Sequence, residues 1–189
     1  MSRPGKFSRN DLLETAREIA NRDGWDNLTL NRLADELDIK SPSLYNHVQG
    51  VEGLRTALSA HMTSLLARRL ETATIGKSGA DAIHALGHAY RNFALDNPGL
   101  LPAIGSAPDR SDEAQRTVDD RILQVGFVVM KGFGLNEQES IHAMRTLRSL
   151  AHGYAVLELD AGFGRPEQVS ASFDWALETF VSGMTPSYK

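Results

Sequence analysis

Not one of the 189 residues is cysteine. Disulfides and thiolate metal sites are therefore excluded, and the expected compartment is a reducing cytoplasm. Long apolar runs are missing too. No stretch approaches the roughly 20 residues of a membrane span; the run around Val125 to Met130 is far shorter, so no membrane partner is expected. The opening MSRPGKFSRND is polar, with no apolar segment behind it, and does not read as a secretory signal. There is no β-type alternation, no internal repeat and no low-complexity tract. Positive charge is not in excess: the formal net charge is −4, whereas nucleic-acid binders tend to carry a basic patch. Catalytic signatures are absent as well. No Gly-x-Ser-x-Gly, His-Glu-x-x-His, phosphate loop or dinucleotide fingerprint occurs, so neither an enzyme nor a cofactor is expected.

What is present is helical periodicity from end to end, which predicts an all-α chain. Ser8-x-x-Asp11 is a capping-box start, followed at helical spacing by Leu12, Leu13, Ala16, Ile19 and Ala20, with Gly24 as a left-handed cap. Thr29 caps a second helix with inner face Leu30, Leu33, Ala34 and Leu37. Asp38-Ile39-Lys40 is a turn. Ser41 then caps a third helix, with Pro42 at its first position, where a missing N–H costs nothing. A fourth helix starts near Gly50 and decays into the small, polar stretch 72–79. That stretch is the expected boundary: residues 1–50 form one domain, the fourth helix (about 50–75) links, and 76–189 form a second. Further helices are expected up to Asn97-Pro98-Gly99, over about 111–132, over about 136–161 and over 166–184.

Leu28 to Leu58 is the most informative stretch. A short helix, a tight turn, a second short helix and then a long one are the layout of a helix-turn-helix, whose second helix enters the DNA major groove. The run Ser41-Pro42-Ser43-Leu44-Tyr45-Asn46-His47 would be that helix, with Lys40 at its head. Its short polar side chains and single aromatic suit phosphates and base edges. In the first fifty residues Arg3, Lys6, Arg9, Arg17, Arg22, Arg32 and Lys40 are offset by Asp11, Glu14, Glu18, Asp23, Asp26, Asp35, Glu36 and Asp38. Placement favours DNA nonetheless: Arg3, Lys6 and Arg9 form a basic N-terminal arm, and the acids lie mostly on the first two helices, where they can face away from DNA.

The same stretch resembles the DNA-binding region of the TetR family of bacterial transcription repressors, through Thr29, Leu33-Ala34, Ser41-Pro42, Leu44-Tyr45, His47 and Leu54. Beyond Ser78, His152-Gly153-Tyr154 and the run Leu157 to Gly164 look like a ligand-domain subgroup named for a Trp-His-Gly motif, whose tryptophan is absent before His152. The resemblance implies an all-helical homodimer. An N-terminal three-helix DNA-binding domain would meet a palindromic double-stranded operator, and a C-terminal helical domain would bind ligand and dimerise. Carried over by position, Ser41, Pro42, Ser43, Tyr45 and Asn46 would face the groove, and Thr29, Tyr45 and His47 would meet phosphates. Two departures stand out: Val51 replaces the family's phosphate-contacting Lys, with Arg55 one turn on as a substitute, and Asp38 replaces the turn Gly.

In the second domain the penultimate helix is apolar on two faces, one through Ile141, Met144, Leu147, Ala151 and Tyr154, the other through Ala143, Leu150, Gly153, Leu157 and Ala161. Such a helix is either central or packed between its own core and a partner subunit. Dimerisation through the last two helices as a four-helix bundle is therefore expected, with Gly153 allowing close approach. His88, Tyr90, Phe93, Leu100, Ile104, Phe127, Met130 and His152 are candidates to line a cavity for a small apolar or amphipathic effector. Each is also ordinary core. Asp81, His84 and His88, at i, i+3 and i+7, offer an alternative metal set and a metal-responsive regulator. A helical interaction protein without DNA binding is the remaining alternative.

Overall fold

The computed structural model describes residues 7–105, 113–165 and 168–184. Arg3 and Lys6 of the expected basic arm lie outside them. Among the described residues every regular element is helical: α1 (Arg9–Asp23), α2 (Leu30–Glu36), a 3-10 helix (Ser41–Asn46), α3 (Gly50–Thr74), α4 (Gly79–Leu95), α5 (Leu101–Gly105), α6 (Glu113–Lys131), α7 (Glu137–Leu159) and α8 (Val169–Met184), with short 3-10 turns at Trp25–Asn27 and Pro98–Leu100. No described helix is long and apolar enough to cross a membrane. The chain divides into two compact units, residues 1–64 with 97–107, and residues 65–96 with 108–189.

The first unit is built on local signals that the chain obeys. Asp11 N–H donates to Ser8 Oγ (3.1 Å) and Ser8 N–H to the Asp11 carboxylate (2.8 Å), closing the capping box of α1. Leu12, Ala16, Ile19, Leu28, Leu33, Leu44, Leu54, Leu58 and Met62 are all fully buried; each large apolar side chain contributes about 1.5–3 kcal/mol by leaving water. The segment after α4 belongs here. Asn97 Oδ1 accepts from Arg17 and Asn21 (both 3.3 Å), and Gly99 N–H donates to Asn21 Oδ1 (3.2 Å). A Cβ on Gly99 would stand 1.8 Å from the carbonyl oxygen of Ala20, so only glycine lets the chain lie this close to α1. Leu100 and Ile104 are buried in this unit.

In the second unit α4 packs on α6, α7 and α8 and is the more deeply buried helix, with Ile83, Leu86, Gly87, Tyr90, Arg91, Phe93 and Ala94 buried around its circumference. The penultimate helix packs on α4, α6 and α8 in turn. That helix, α7, buries one stripe: Ser140, Ala143, Leu147, Ala151 and Ala155. On its second apolar face Ala143 is buried while Leu157 is 46% exposed, and a Cβ at Gly153 meets nothing within 4 Å, so no described part of its own chain uses the small residue. Close approach occurs elsewhere, at Gly87 against Leu177 and at Gly126 against Met144. Arginine–carboxylate ion pairs tie the unit. Arg91, itself buried, bonds Glu158 through Nε (3.0 Å) and Nη2 (2.5 Å), and Arg121 grips Glu71 with both arms (2.9 and 2.7 Å).

Candidate nucleic-acid interface

Thr29 caps α2: its Oγ1 accepts the N–H of Arg32 (3.3 Å) and keeps its own proton to donate outward. The turn is closed by Ile39 N–H to the Ala34 carbonyl (3.0 Å), with Asp38 at φ 51°. Asp is among the few non-glycine residues that sit readily in this left-handed region, so the turn survives the loss of the usual glycine.

The next element departs from expectation. It is a 3-10 helix whose cap is Lys40, without a side-chain capping bond. Ser41 is therefore its first residue and not its cap. The Ser41 hydroxyl donates to Asn31 Oδ1 (3.1 Å), tying the element to α2. Leu44 is fully buried and anchors it, while its carbonyl accepts the N–H groups of His47 (2.8 Å) and Val48 (3.0 Å). With Leu44 inward, Pro42, Tyr45 and Asn46 turn out; Tyr45 is 63% exposed. Thr29 and Lys40 are exposed, whereas Ser41, Ser43 and His47 are half-buried. The His47 ring packs on Phe7, centroid to centroid 4.7 Å, which fixes it beside the recognition element.

Of the acids that made the composition look unsuitable for DNA, Asp23, Glu36 and Glu14 are held by basic side chains of the same unit. Asp23 bonds Arg22 (3.1 Å) and Arg32 (3.2 Å), and Glu36 bonds Arg22 (2.5 Å). Glu14 bonds Arg17 (2.9 Å) and His61 (2.8 Å). The hydrogen bond from Arg22 lowers the Asp23 pKa, and the backbone bond from Ser8 lowers that of Asp11. Burial alone would raise the Glu14 pKa, but the bonds from His61 and Arg17 outweigh it and the net shift is downward. Arg55, considered as a stand-in for the missing lysine, is committed elsewhere. It donates to the Trp25 carbonyl (3.3 Å), pairs with Glu52 (3.4 Å) and lies 5.7 Å over the Trp25 ring. Val51 is half-buried and brings no charge.

The expected effector-lining residues divide between the units. Leu100 and Ile104 fall in the first; His88, Tyr90, Phe93, Phe127, Met130 and His152 fall in the second. There Tyr90, Phe93 and Met130 are buried. The Tyr90 hydroxyl meets His152 Nδ1 at 3.3 Å. Burial raises the Tyr90 pKa and, together with the charge of Arg148, lowers that of His152. An open groove of about 550 Å³ in this unit is lined by Arg68, Arg69, Thr72, Ala73, Lys77, Ala85, His88 and Ala89, so it shares only His88 with the expected lining. The metal set is also regrouped. Among the described residues His84 and His88 come together with Asp174 of α8, not with Asp81. Asp174 lies 86 residues from His88, and no spacing rule within one helix could have found it. Asn31 and Phe7, which brace the recognition element, escape sequence reasoning for the same reason: their roles exist only in the folded unit.

A family model described as "Tetracyclin repressor-like, C-terminal domain" matches residues 83–180. The uncharacterized HTH-type transcriptional regulator YobS of Bacillus subtilis (strain 168) is 32% identical over 175 residues, covering 92% of this chain and 90% of its own. The uncharacterized HTH-type transcriptional regulator Rv0681 of Mycobacterium tuberculosis (strain ATCC 25618 / H37Rv) is 33% identical over 160 residues, covering 84% and 73%. Among solved structures, a variant of TetR from Acinetobacter baumannii AYE in complex with minocycline has the same fold, with a TM-score of 0.72 at 19% identity over 94% of this chain and 96% of that one.

Proposed function

Since the chain belongs to the TetR family of DNA-binding transcriptional regulators, we propose that it is a homodimeric repressor that leaves its operator when a small organic molecule binds its second unit. The observation that carries the DNA-reading part is the recognition element itself. One fully buried leucine, Leu44, holds it, and Pro42, Tyr45 and Asn46 are turned to solvent beside the α2 cap Thr29. An exposed aromatic on an otherwise polar element is costly to leave idle. On DNA its hydroxyl reaches phosphate while its ring covers sugar or a thymine methyl. Asn46 can bond adenine through both its carbonyl and its amide.

Dimerisation is assigned to α7 and α8, where Leu157 and Trp175 (46% and 68% exposed) leave apolar surface uncovered by the chain itself. Two such subunits would set the recognition elements about 34–36 Å apart, one turn of DNA. The effector is assigned to the apolar interior of the second unit, with the Tyr90–His152 pair as the polar contact that orients it. The minocycline complex of the structural relative supports an organic ligand as the class of signal. Release requires the effector to favour the DNA-incompetent state, and a complete switch needs roughly a 10⁴-fold preference.

The test is fluorescence anisotropy with the DNA upstream of the chain's own coding region and with a scrambled duplex. The wild type should prefer the former. Tyr45→Ala should weaken binding to both, and Asn46→Ala should lose the preference at a cost of about 1–3 kcal/mol. Equal affinity of wild type and both variants for the two duplexes would overturn the assigned roles.

A further inference from the structure

The geometry points to a divalent transition-metal site made by His84 and His88 of α4 and Asp174 of α8, a site that stands independently of the organic-effector reading. One donor atom from each residue lies within 4.8 Å of the other two. His84 and His88 are four apart on a helix, which puts both imidazoles over the same turn. Asp174 comes from the facing helix, so the three donors converge from two elements. Each is half-exposed, and an ion can therefore enter from solvent.

The scaffold under this cluster is built. Phe173, fully buried next to Asp174, meets the His88 ring edge-on at 5.2 Å and 87°. Gly87, between the two histidines, lets Leu177 of α8 come so close that a Cβ there would sit 2.8 Å from its methyl. Helix α8 is thereby held against the turn that bears both imidazoles. His88 Nε2 and Asp174 Oδ1 are already 2.6 Å apart, sharing a proton. A metal can take that proton's place. With metal–ligand bonds of about 2.1 Å, two ligands of a tetrahedral or octahedral ion lie roughly 3.0–3.4 Å apart. The pair therefore needs to open, and His84 to close, by small side-chain rotations only.

The donor chemistry selects the ion. Two imidazoles and one carboxylate suit Zn²⁺ and its transition-metal neighbours and disfavour Mg²⁺ or Ca²⁺, which take oxygen donors. Three protein ligands leave at least one position for water. Bound metal would clip α8 to α4, adding a link to their packing and to the His88–Asp174 hydrogen bond.

The test uses the full chain, stripped with a chelator and dialysed, and titrated with Zn²⁺ by calorimetry and with Co²⁺ by its visible ligand-field absorption. One ion per chain should bind at micromolar concentration or tighter, and Zn²⁺ but not Mg²⁺ should raise the melting temperature. His84→Gln and Asp174→Asn should each weaken binding more than tenfold, while Asp81→Asn binds as wild type does. Both ligand variants change half-exposed side chains, and their circular dichroism should match the wild type. Absence of binding at millimolar Zn²⁺, or binding that both ligand variants retain, would overturn the site. Loss of binding in Asp81→Asn with Asp174→Asn unaffected would overturn the ligand set.

Discussion

Replacing Gly99 with alanine tests how the segment after α4 is held in the first unit. The new Cβ would stand 1.8 Å from the Ala20 carbonyl oxygen, 2.5 Å from its carbon and 2.8 Å from the Asn21 Cα. These are backbone atoms of α1, which cannot rotate away as a side chain can. The segment must retreat by about 1.2 Å to reach even the 3.0 Å that real contacts respect. That movement breaks the bond from Gly99 N–H to Asn21 and strains the two that Arg17 and Asn21 make to Asn97. Three hydrogen bonds at about 1 kcal/mol each, plus part of the burial of Leu100 and Ile104, are offset by about 0.4–1 kcal/mol from a stiffer unfolded chain. The net loss is about 3 kcal/mol. In urea it moves the unfolding midpoint down by roughly 1–3 M, given slopes of about 1–3 kcal/mol/M. Gly126→Ala is the control, because its Cβ would meet the end of the Met144 side chain, which can swing aside, at about 1 kcal/mol. A Gly99→Ala protein within about 0.5 kcal/mol of wild type would refute the close approach on which this rests.

Three other outcomes follow from residues already placed. Val51→Lys should raise affinity for every DNA sequence alike and steepen the salt dependence by roughly one unit per subunit; a gain confined to the operator would contradict a phosphate role for that position. Leu157→Asp should turn a dimer into monomer or insoluble protein, because a charge is left in an apolar contact; light scattering that shows a monomeric wild type at micromolar concentration would remove the assigned interface. His152, whose ordinary pKa of 6.5 is lowered in the fold by burial and by Arg148, contributes stability that is complete above about pH 6.5 and is lost as pH falls through its lower native value. Urea midpoints from pH 8 to 5 should therefore fall less steeply in His152→Gln than in the wild type, and parallel curves would count against a depressed native pKa.

The features legible in the sequence are those whose partners lie within one turn of chain. The Ser8–Asp11 box, the Thr29 cap and the left-handed Asp38 each depend on residues three or four positions away, and the sequence displays such spacings directly. Ser41 departs from the capping role its spacing suggests because its hydroxyl has a tertiary choice, Asn31, ten residues off. That α4 is buried more deeply than α7 carries no mark in their sequences. It is set by tertiary close contacts such as Gly87 on Leu177. Asp174 carries no mark in sequence at all; it becomes a partner of His88 only when α8 folds back on α4.

A 3-10 helix stacks residues three apart directly over one another, so the recognition element has three flat sides. One is Ser41 above Leu44, turned inward; the second is Pro42 above Tyr45, both exposed; the third is Ser43 above Asn46. At about 2.0 Å of rise per residue, two stacked side chains are roughly 6 Å apart, close to two base-pair steps of DNA. Each outward side is thus a two-tooth comb, where an α-helix of the same length would fan its side chains around an arc. Exchanging Tyr45 and Asn46 would move the aromatic from one comb to the other without altering composition, charge or the buried anchor, so a change in DNA binding would report the placement of the two side chains and not their identity.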